Sequence, residues 1–487
     1  MVQEVFLTRE EKYNLSKWSY ACVDNSITTQ LFTPWWNWCV KFVPETVAPN
    51  ILSLSGMIFI LYFFHLAYNF ADEKNSLVSF AGIILMFGYR TLDAIDGKHA
   101  RNTGNGSPLG ELFDHSCDNF SVPFCAVAFT LCVGISDLTV VWYMVQTAQL
   151  LFLLSHVDAF AKRVVEFGRW TGPGEALCVY MFLLLLNGIY GTEWVAVKLT
   201  EFATAHGMTL AMFGIRVWSG IYYITWLSFT FYVLRMDKKH GSTKKGLLIS
   251  LCVRSIPAIF LYTNLIAERL TIFNVISDGV IISVLCGDMI VAKMASRDLH
   301  PLVPIVLMIS SFDNFLCFLG TMFYYTVIFL EISTYLKLPI FGVKRVVFIN
   351  GVFDLFHRAH LRLVREAARE GTYLIVGVLT EEDVLTYKPK LPAMTFQQRW
   401  DAVKDCGYVD EVIQTPLYIR GEEGDEFMKK YRINCVMCSS EYDTTEDEYY
   451  ESPRRQGKLV VLPRMEGIST TALKRQVYER CPKKDLD

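Results

Sequence analysis

Ten apolar runs, each about as long as a bilayer is thick, crowd the first 340 positions, and backbone crossing lipid has almost no choice but helix. They can be placed at 51–70, 77–95, 117–136, 138–160, 175–190, 208–234, 246–267, 271–294, 301–320 and 321–340. The expected fold of residues 1–340 is a polytopic α-helical membrane domain of about ten transmembrane helices. Composition agrees, since 52% of the 487 residues are hydrophobic, high for a soluble protein. An even number of crossings brings both chain ends to one side. Lys162, Arg163 and Arg169 share one short loop, and Arg235, Lys238, Lys239, Lys244 and Lys245 another; cytoplasmic loops are enriched in Lys and Arg, which puts both loops and both termini on the cytosolic side. Trp35, Trp36 and Trp38, followed by Lys41, suggest a helix lying at headgroup level. Residues 1–25 lack the compact apolar core of a signal peptide. A net charge of -3 with no basic stripe argues against nucleic acid as a partner.

The composition changes near Leu338-Pro339-Ile340-Phe341-Gly342. Beyond it charges become frequent, and helical patterns alternate with short β-branched runs, so a soluble α/β domain of the Rossmann-like kind is expected over 341–487. The 13 cysteines have no framework spacing. Cys435-x2-Cys438 has no second pair at zinc spacing and reads as structural.

Chemistry concentrates between two of the apolar runs. Asp93, Asp96, Gly97, Ala100, Arg101, Gly110, Asp114 and Asp118 spell D-x2-D-G-x2-A-R-x8-G-x3-D-x3-D. Positions three or four apart share a helix face, so Asp93 and Asp96 project from one helix and Asp114 and Asp118 from the next. The turn formers Asn102-Thr103-Gly104-Asn105-Gly106-Ser107-Pro108 join the two helices. Acids at helix ends are commonly just solvated. Two pairs facing each other at the end of an apolar run are costly without a cation, and an all-oxygen set suits Mg2+, Mn2+ or Ca2+, with room for two ions clamping a phosphate-containing substrate. Gly97 and Ala100 leave the metal side open, Gly110 lets the helices approach, and Arg101 can bind a phosphate oxygen.

These residues resemble the signature of the CDP-alcohol phosphotransferases. Trp35-Trp36, Val47-Ala48-Pro49-Asn50 and Ser107-Pro108-Leu109-Gly110-Glu111-Leu112-Phe113-Asp114-His115 are similar to the eukaryotic choline/ethanolamine phosphotransferase branch, over about residues 1–340. The resemblance implies transfer of a phosphoalcohol headgroup from a CDP-alcohol to the hydroxyl of diacylglycerol, releasing CMP. It also implies two Mg2+ or Mn2+ ions on Asp93, Asp96, Asp114 and Asp118, with Asn50, Gly97, Ala100, Arg101 and Gly110 at the nucleotide. Asp118 is the first candidate for the base, and Glu111 and His115 are its neighbours. His156, Asp158, Glu175, Arg216 and Asp288 are ionisable groups inside apolar runs that can line a polar cavity or pair structurally.

A second constellation follows the domain boundary. The strand Arg345–Asn350, the turn Gly351-Val352-Phe353-Asp354, and a helix opening at His357-x2-His360 offer backbone N–H groups and a favourable dipole to a phosphate. Two histidines three apart can stabilise the charge of a pentavalent transition state; alone, the pair is as often structural, with a zinc pair as a third option. With Lys388, Gln398-Arg399 and Arg464-Met465-Glu466-Gly467-Ile468-Ser469-Thr470-Thr471, the segment 344–480 resembles the nucleotidyltransferases that make CDP-choline or CDP-ethanolamine from CTP and phosphocholine or phosphoethanolamine. By that likeness His357, His360 and Lys388 act on the reacting phosphates. Gly351, Phe353, Asp354, Arg399, Arg464, Gly467, Ile468, Ser469 and Thr470 would bind CTP. The chain departs from the family pattern at Ala359, where Gly is usual, at Met465, and in Met437-Cys438-Ser439-Ser440-Glu441-Tyr442.

The expectation is a bifunctional membrane enzyme that makes a CDP-alcohol and consumes it. The resemblances imply a homodimer in the endoplasmic reticulum or Golgi with both active sites facing the cytosol. Two other classes compete: a phosphotransferase whose C-terminal domain only senses nucleotide, and a transporter, which gives no account of the aspartates.

Overall fold

The computed structural model describes residues 4–170, 172–263, 265–310, 313–388, 390–440, 449–463 and 469–480. The chain divides into two compact units, Met1–Val343 and Lys344–Asp487.

The first unit opens with α1 (Arg9–Ser16), the short strand β1 (Cys22–Asp24) and α2 (Ile27–Cys39). The bundle follows as α3 (Pro49–Thr103), α4 (Pro108–Cys132), α5 (Leu138–Lys162), strand β2 (Val165–Phe167), α6 (Pro173–Tyr190), α7 (Thr192–Ala205), α8 (Leu210–Arg235), α9 (Gly241–Tyr262), α10 (Ile272–Val280), α11 (Ile282–Ala295), α12 (Leu302–Ser310) and α13 (Asn314–Leu336). Among the described residues, seven helical segments are long and apolar enough to cross a bilayer: 49–73, 75–103, 138–162, 173–190, 238–262, 272–295 and 314–336. The equally long α4 and α8 fall short of that apolarity. The pair expected at 301–320 and 321–340 becomes the nine-residue α12 and the 23-residue α13, whose start is capped by Asp313 accepting from the N–H groups of Phe315 and Leu316.

A straight 55-residue helix would be about 80 Å long. Instead α3 doubles back near residues 72–75, and its halves pack antiparallel. Glycine makes the approach possible: a β-carbon on Gly82 would overlap the Phe63 ring, and one on Gly88 would fall 2.7 Å from Phe59. At the centre of the bundle α11 is buried along its whole length, with most of α5 beside it.

The N-terminal segment is strapped across one end of the bundle. Glu331 of α13 accepts from the backbone N–H groups of Val5, Phe6 and Leu7 at 2.7–3.2 Å. Farther along, Asn14 donates to the carbonyl of Ala295, and β1 pairs in parallel with β2. Trp36 is buried against Leu52 and Ile95, so only Trp35 and Trp38 of the expected interfacial trio stay exposed. Basic loops gather at this end: Arg163 donates to the carbonyl of Lys293, and Thr243 and His240 reach Asp298.

The second unit alternates strand and helix: β3 (Val346–Gly351), α14 (Arg358–Glu370), β4 (Tyr373–Val378), α15 (Glu381–Tyr387), α16 (Phe396–Asp405), β5 (Glu411–Gln414), α17 (Gly421–Lys430), β6 (Cys435–Ser439), α18 (Glu451–Arg455), β7 (Leu459–Leu462) and α19 (Thr470–Arg480). The five strands are parallel in the order β5-β4-β3-β6-β7. The chain winds one way from β3 and later the other way, so the crevice at the C-terminal ends of β3 and β6 is where such a sheet receives a ligand. Cys435 and Cys438 lie buried in β6, as structural cysteines do.

Candidate functional sites

The first site is built by the turn between α3 and α4. Gly104 ends α3 at φ 70°, Ser107 caps α4 by accepting from the N–H of Gly110 at 3.0 Å, and Pro108 opens the helix without needing an N–H. That hairpin sets two carboxylate pairs face to face. Ligand atoms of Asp93, Asp114 and Asp118 all lie within 4.8 Å of one another. The carboxyl of Asp96 meets that of Asp114, and the carboxyl of Asp93 meets that of Asp118. Neutral or positive partners touch the rim: Ser53 donates to Asp96, Tyr89 donates to Asp118 at 2.7 Å, and Arg90 pairs with Asp93. One oxygen of Asp114 is buried with no hydrogen-bond partner. Carboxyl groups turned toward one another and an orphaned buried oxygen fit hard divalent cations, which take oxygen ligands.

Around this cluster the other sequence candidates separate. Asn50 is buried and donates to the carbonyl of Ile340 at 2.8 Å, with its own oxygen close to Gly110. Gly97 lies against the Arg101 guanidinium, and Ala100 is half-buried on the same helix face. Glu111 points elsewhere. One of its oxygens takes Lys293 Nζ at 2.5 Å and the other accepts from Trp18 Nε1 at 2.7 Å, so it is committed to a buried ion pair and drops out as a competitor for the base. His115 is buried with its ring 5.1 Å from that of His156 and 6.4 Å from that of Tyr20. Asp158 is held by Lys162 and Tyr232, and Asp288 by Arg297 and Tyr324; both are structural pairs. Arg216 reaches the sulfur of Met208 at an exposed edge. Glu175 accepts from the N–H and hydroxyl of Thr28, next to Gly174, which lies against Arg90. Tyr89, Arg90, Lys293 and Trp18 escaped the sequence reading; a Tyr-Arg step one turn before the first aspartate was the available signal for two of them.

In the second unit the turn after β3 is tight, and Phe353 and Leu355 adopt φ of 56° and 48°, a costly backbone region for bulky residues. The Phe353 ring is thereby buried, edge-on to His360 at 5.4 Å. His357 caps α14, its Nδ1 accepting from the N–H of Ala359, and its ring stacks on His360 at 3.9 Å. Thr470 at the start of α19 lies 3.4 Å from His357 Nε2, so the two ends of the sequence motif meet. Burial and then the neighbouring His357 push the pKa of His360 down to about 3; burial lowers that of His357 as well. Both rings are therefore neutral donors or acceptors at physiological pH. His360 Nδ1 is buried without a partner. The exposed Lys388 sits over the Tyr387 ring and is close enough to His360 to lower its pKa further.

Two CTP-binding candidates are spent on the scaffold. Arg399 is wholly buried and donates to the carbonyls of Val352, Leu379 and Met394, fastening three loops. Asp354 accepts from the N–H groups of Ala393 and Met394 and pairs with Lys474 at 2.7 Å. Burial pushes its pKa up, but Lys474 and the two N–H groups outweigh burial and leave it below the usual carboxylate range. Gly351 ends β3 under the Phe353 ring, and Ser469 caps α19 by accepting from the N–H of Ala472. Arg464, Met465, Gly467 and Ile468, with Glu441 and Tyr442, lie outside the described residues.

Comparison with known proteins matches each site to a family. Residues 46–228 match the CDP-alcohol phosphatidyltransferase family, and residues 348–476 match the cytidylyltransferase-like family. The "Uncharacterized CDP-alcohol phosphatidyltransferase class-I family protein 2" of Dictyostelium discoideum is 35% identical over 37% of this chain and 45% of its own length. Choline/ethanolaminephosphotransferase 1 of Arabidopsis thaliana is 32% identical over 38% of this chain and 49% of its own. Cholinephosphotransferase 1 of Danio rerio is 27% identical over 59% and 77%. The chain thus spans about half the length of the first two relatives. With its apolar helices, the likeness makes the chain an integral membrane protein.

Proposed function

We propose, for a chain that carries a CDP-alcohol phosphotransferase domain followed by a cytidylyltransferase-like domain, two consecutive reactions of phospholipid synthesis. The second unit joins CTP to phosphoethanolamine or phosphocholine and releases pyrophosphate. The first unit passes the phosphoalcohol to diacylglycerol and releases CMP, leaving phosphatidylethanolamine or phosphatidylcholine. The observation that carries the first step is the pair of facing carboxylates, Asp93 with Asp118 and Asp96 with Asp114, around an orphaned oxygen.

Mg2+ or Mn2+ bound by Asp93, Asp96, Asp114 and Asp118 would supply the charge that offsets the pyrophosphate link. Arg101, beside Gly97 at the mouth, holds a phosphate oxygen, while Asn50 and Gly110 border the nucleotide. The lipid hydroxyl oxygen attacks the β-phosphorus, the bond to CMP breaks, and Asp118 takes the hydroxyl proton. In the second unit His357 Nε2, His360 and Lys388 face the phosphates of CTP with Ser469 and Thr470. The phosphoalcohol oxygen attacks the α-phosphorus and pyrophosphate departs. Neutral imidazoles suit this task, because they donate hydrogen bonds to the transition state without a fixed charge holding the product.

Basic loops at the aspartate end favour a cytosolic position for both sites by the positive-inside rule, and the endoplasmic reticulum or Golgi is the proposed membrane. The test uses the full chain in diacylglycerol-containing vesicles with CTP and each phosphoalcohol in turn, following pyrophosphate, CMP and lipid separately. Asp118→Asn should stop CMP and lipid formation and leave pyrophosphate release intact; His357→Ala should stop pyrophosphate, CMP and lipid together, with CMP and lipid formation restored when CDP-alcohol is supplied directly. Lipid transfer surviving in Asp118→Asn overturns the first assignment. Wild-type protein that releases no pyrophosphate assigns the second unit to nucleotide sensing.

A further inference from the structure

Arg90 stands one helical turn before Asp93, outside the aspartate motif, and its surroundings give it two carboxylates to choose between. Its guanidinium donates through Nη1 to Asp93 and lies 5.1 Å from the centre of the buried Trp36 ring. On its other side is the N-terminal turn of α6, where a β-carbon on Gly174 would fall 3.2 Å from Nε and 3.3 Å from Nη2. A side chain at position 174 would push Arg90 away, so glycine keeps this side open to it. The next residue is Glu175. Its Oε1 is occupied by the N–H and hydroxyl of Thr28, both at 3.0 Å, whereas Oε2 is buried without a hydrogen-bond partner. Arg90 Nε is likewise buried without a partner. A donor and an acceptor of opposite charge, each unsatisfied, lie at the same helix-opening turn, Arg90 Nε against Gly174 and Glu175 Oε2 against Gly172.

We propose that Arg90 competes with the divalent ion for Asp93 and is received by Glu175 when the ion binds, which makes the Arg90–Glu175 pair the element that sets metal affinity. The inference rests on the reading of the aspartates as a divalent site. Two facts favour competition over a simple role in orienting Asp93. A fixed positive charge a few ångströms from a dication disfavours it by far more than a single orienting hydrogen bond helps it, even at the screening typical of partly buried sites. The guanidinium also has somewhere to go, since the free Glu175 oxygen is a ready acceptor that costs no new desolvation.

The experiment measures Mn2+ binding to the purified full chain in detergent by the loss of the free-ion electron paramagnetic resonance signal, with no substrate present. Arg90→Gln should tighten binding by roughly tenfold or more through the removed Coulomb repulsion. Arg90→Lys should stay near wild type. Glu175→Gln should weaken binding several-fold, because Arg90 then has no other acceptor, and that loss should vanish in the Arg90→Gln background. Equal or weaker binding in Arg90→Gln, or a Glu175→Gln effect that persists without Arg90, overturns the proposal. Should Arg90→Gln fail to fold, Glu175→Gln alone decides: unchanged or tighter Mn2+ binding refutes the exchange. Asp114→Asn separates the two readings. If it binds Mn2+ as well as wild type does, the divalent site itself is wrong; if it does not and Arg90 has no influence, only the competition is wrong.

Discussion

The ion pair between Lys293 and Glu111 offers a sharp test of how this bundle is held at the site. Both side chains are almost wholly buried, 2% and 4% exposed, and the Lys293 ammonium also lies over the rings of Trp18 and Tyr20. Lys293→Met removes the cation and leaves the Glu111 carboxylate buried with only the Trp18 N–H to stabilise it. Breaking a buried pair from one side costs about 3–5 kcal/mol. With an unfolding entropy of roughly 2.1 cal/mol/K per residue over the 343 residues of the first unit, the apparent midpoint should fall by about 4–7 °C. Lys293→Met/Glu111→Gln removes both charges and should recover most of that loss, because replacing an entire buried pair is often neutral. The assay heats detergent-solubilised protein for a fixed time and follows the surviving monodisperse fraction by size exclusion. A single variant as stable as wild type, or a double variant no better than the single, refutes the claim that this contact is a closed pair rather than an available carboxylate.

Gly82→Leu should destabilise the α3 hairpin by about 1–3 kcal/mol, the usual cost of overpacking, and Phe63→Ala in the same chain should return part of it in the same heating assay. Arg399→Met strands the buried carbonyls of Val352 and Leu379 and should cost about 2–4 kcal/mol; hydrogen exchange should quicken at residues 351–357 and 379–381, and unchanged exchange refutes it. His360 titrates near 3 in the folded unit against about 6.5 unfolded. As pH falls through that interval the unfolded chain gains a proton that the folded one refuses, so the second unit should lose stability, and His360→Gln should flatten the slope. Asp354 titrates below its ordinary value, so its contribution is complete above that value and is lost only as pH falls through the lower folded one; Asp354→Asn should remove this more acidic part of the profile.

What could be read without coordinates was whatever depends on short spacing. Asp93 and Asp96 fall one turn apart, as do Asp114 and Asp118, and Gly104 to Pro108 form a turn, so the aspartate hairpin follows from helix geometry and local turn chemistry. The same holds for His357 and His360 after a strand. Contacts between distant positions were not legible. Nothing local to Glu111 announces Lys293, 182 positions away, and nothing near Arg399 says that its fork will fasten three carbonyls instead of a phosphate. The split between the runs at 51–70 and 77–95 matches the apolar segments 49–73 and 75–103, but the backbone between them stays helical, since none of Asp72, Glu73 and Lys74 is a helix breaker.

The clasp that Glu331 places on the amides of residues 5–7 ties the order of synthesis to the order of closure. A ribosome delivers that early stretch some 326 residues ahead of its acceptor. Until α13 has entered the bilayer, Val5, Phe6 and Leu7 have no carboxylate to hold them, and the strap that carries Trp18 and Tyr20 to the aspartate end stays untethered at its start. The start of that strap is therefore fixed only once α13 exists, whatever its place in the reading frame.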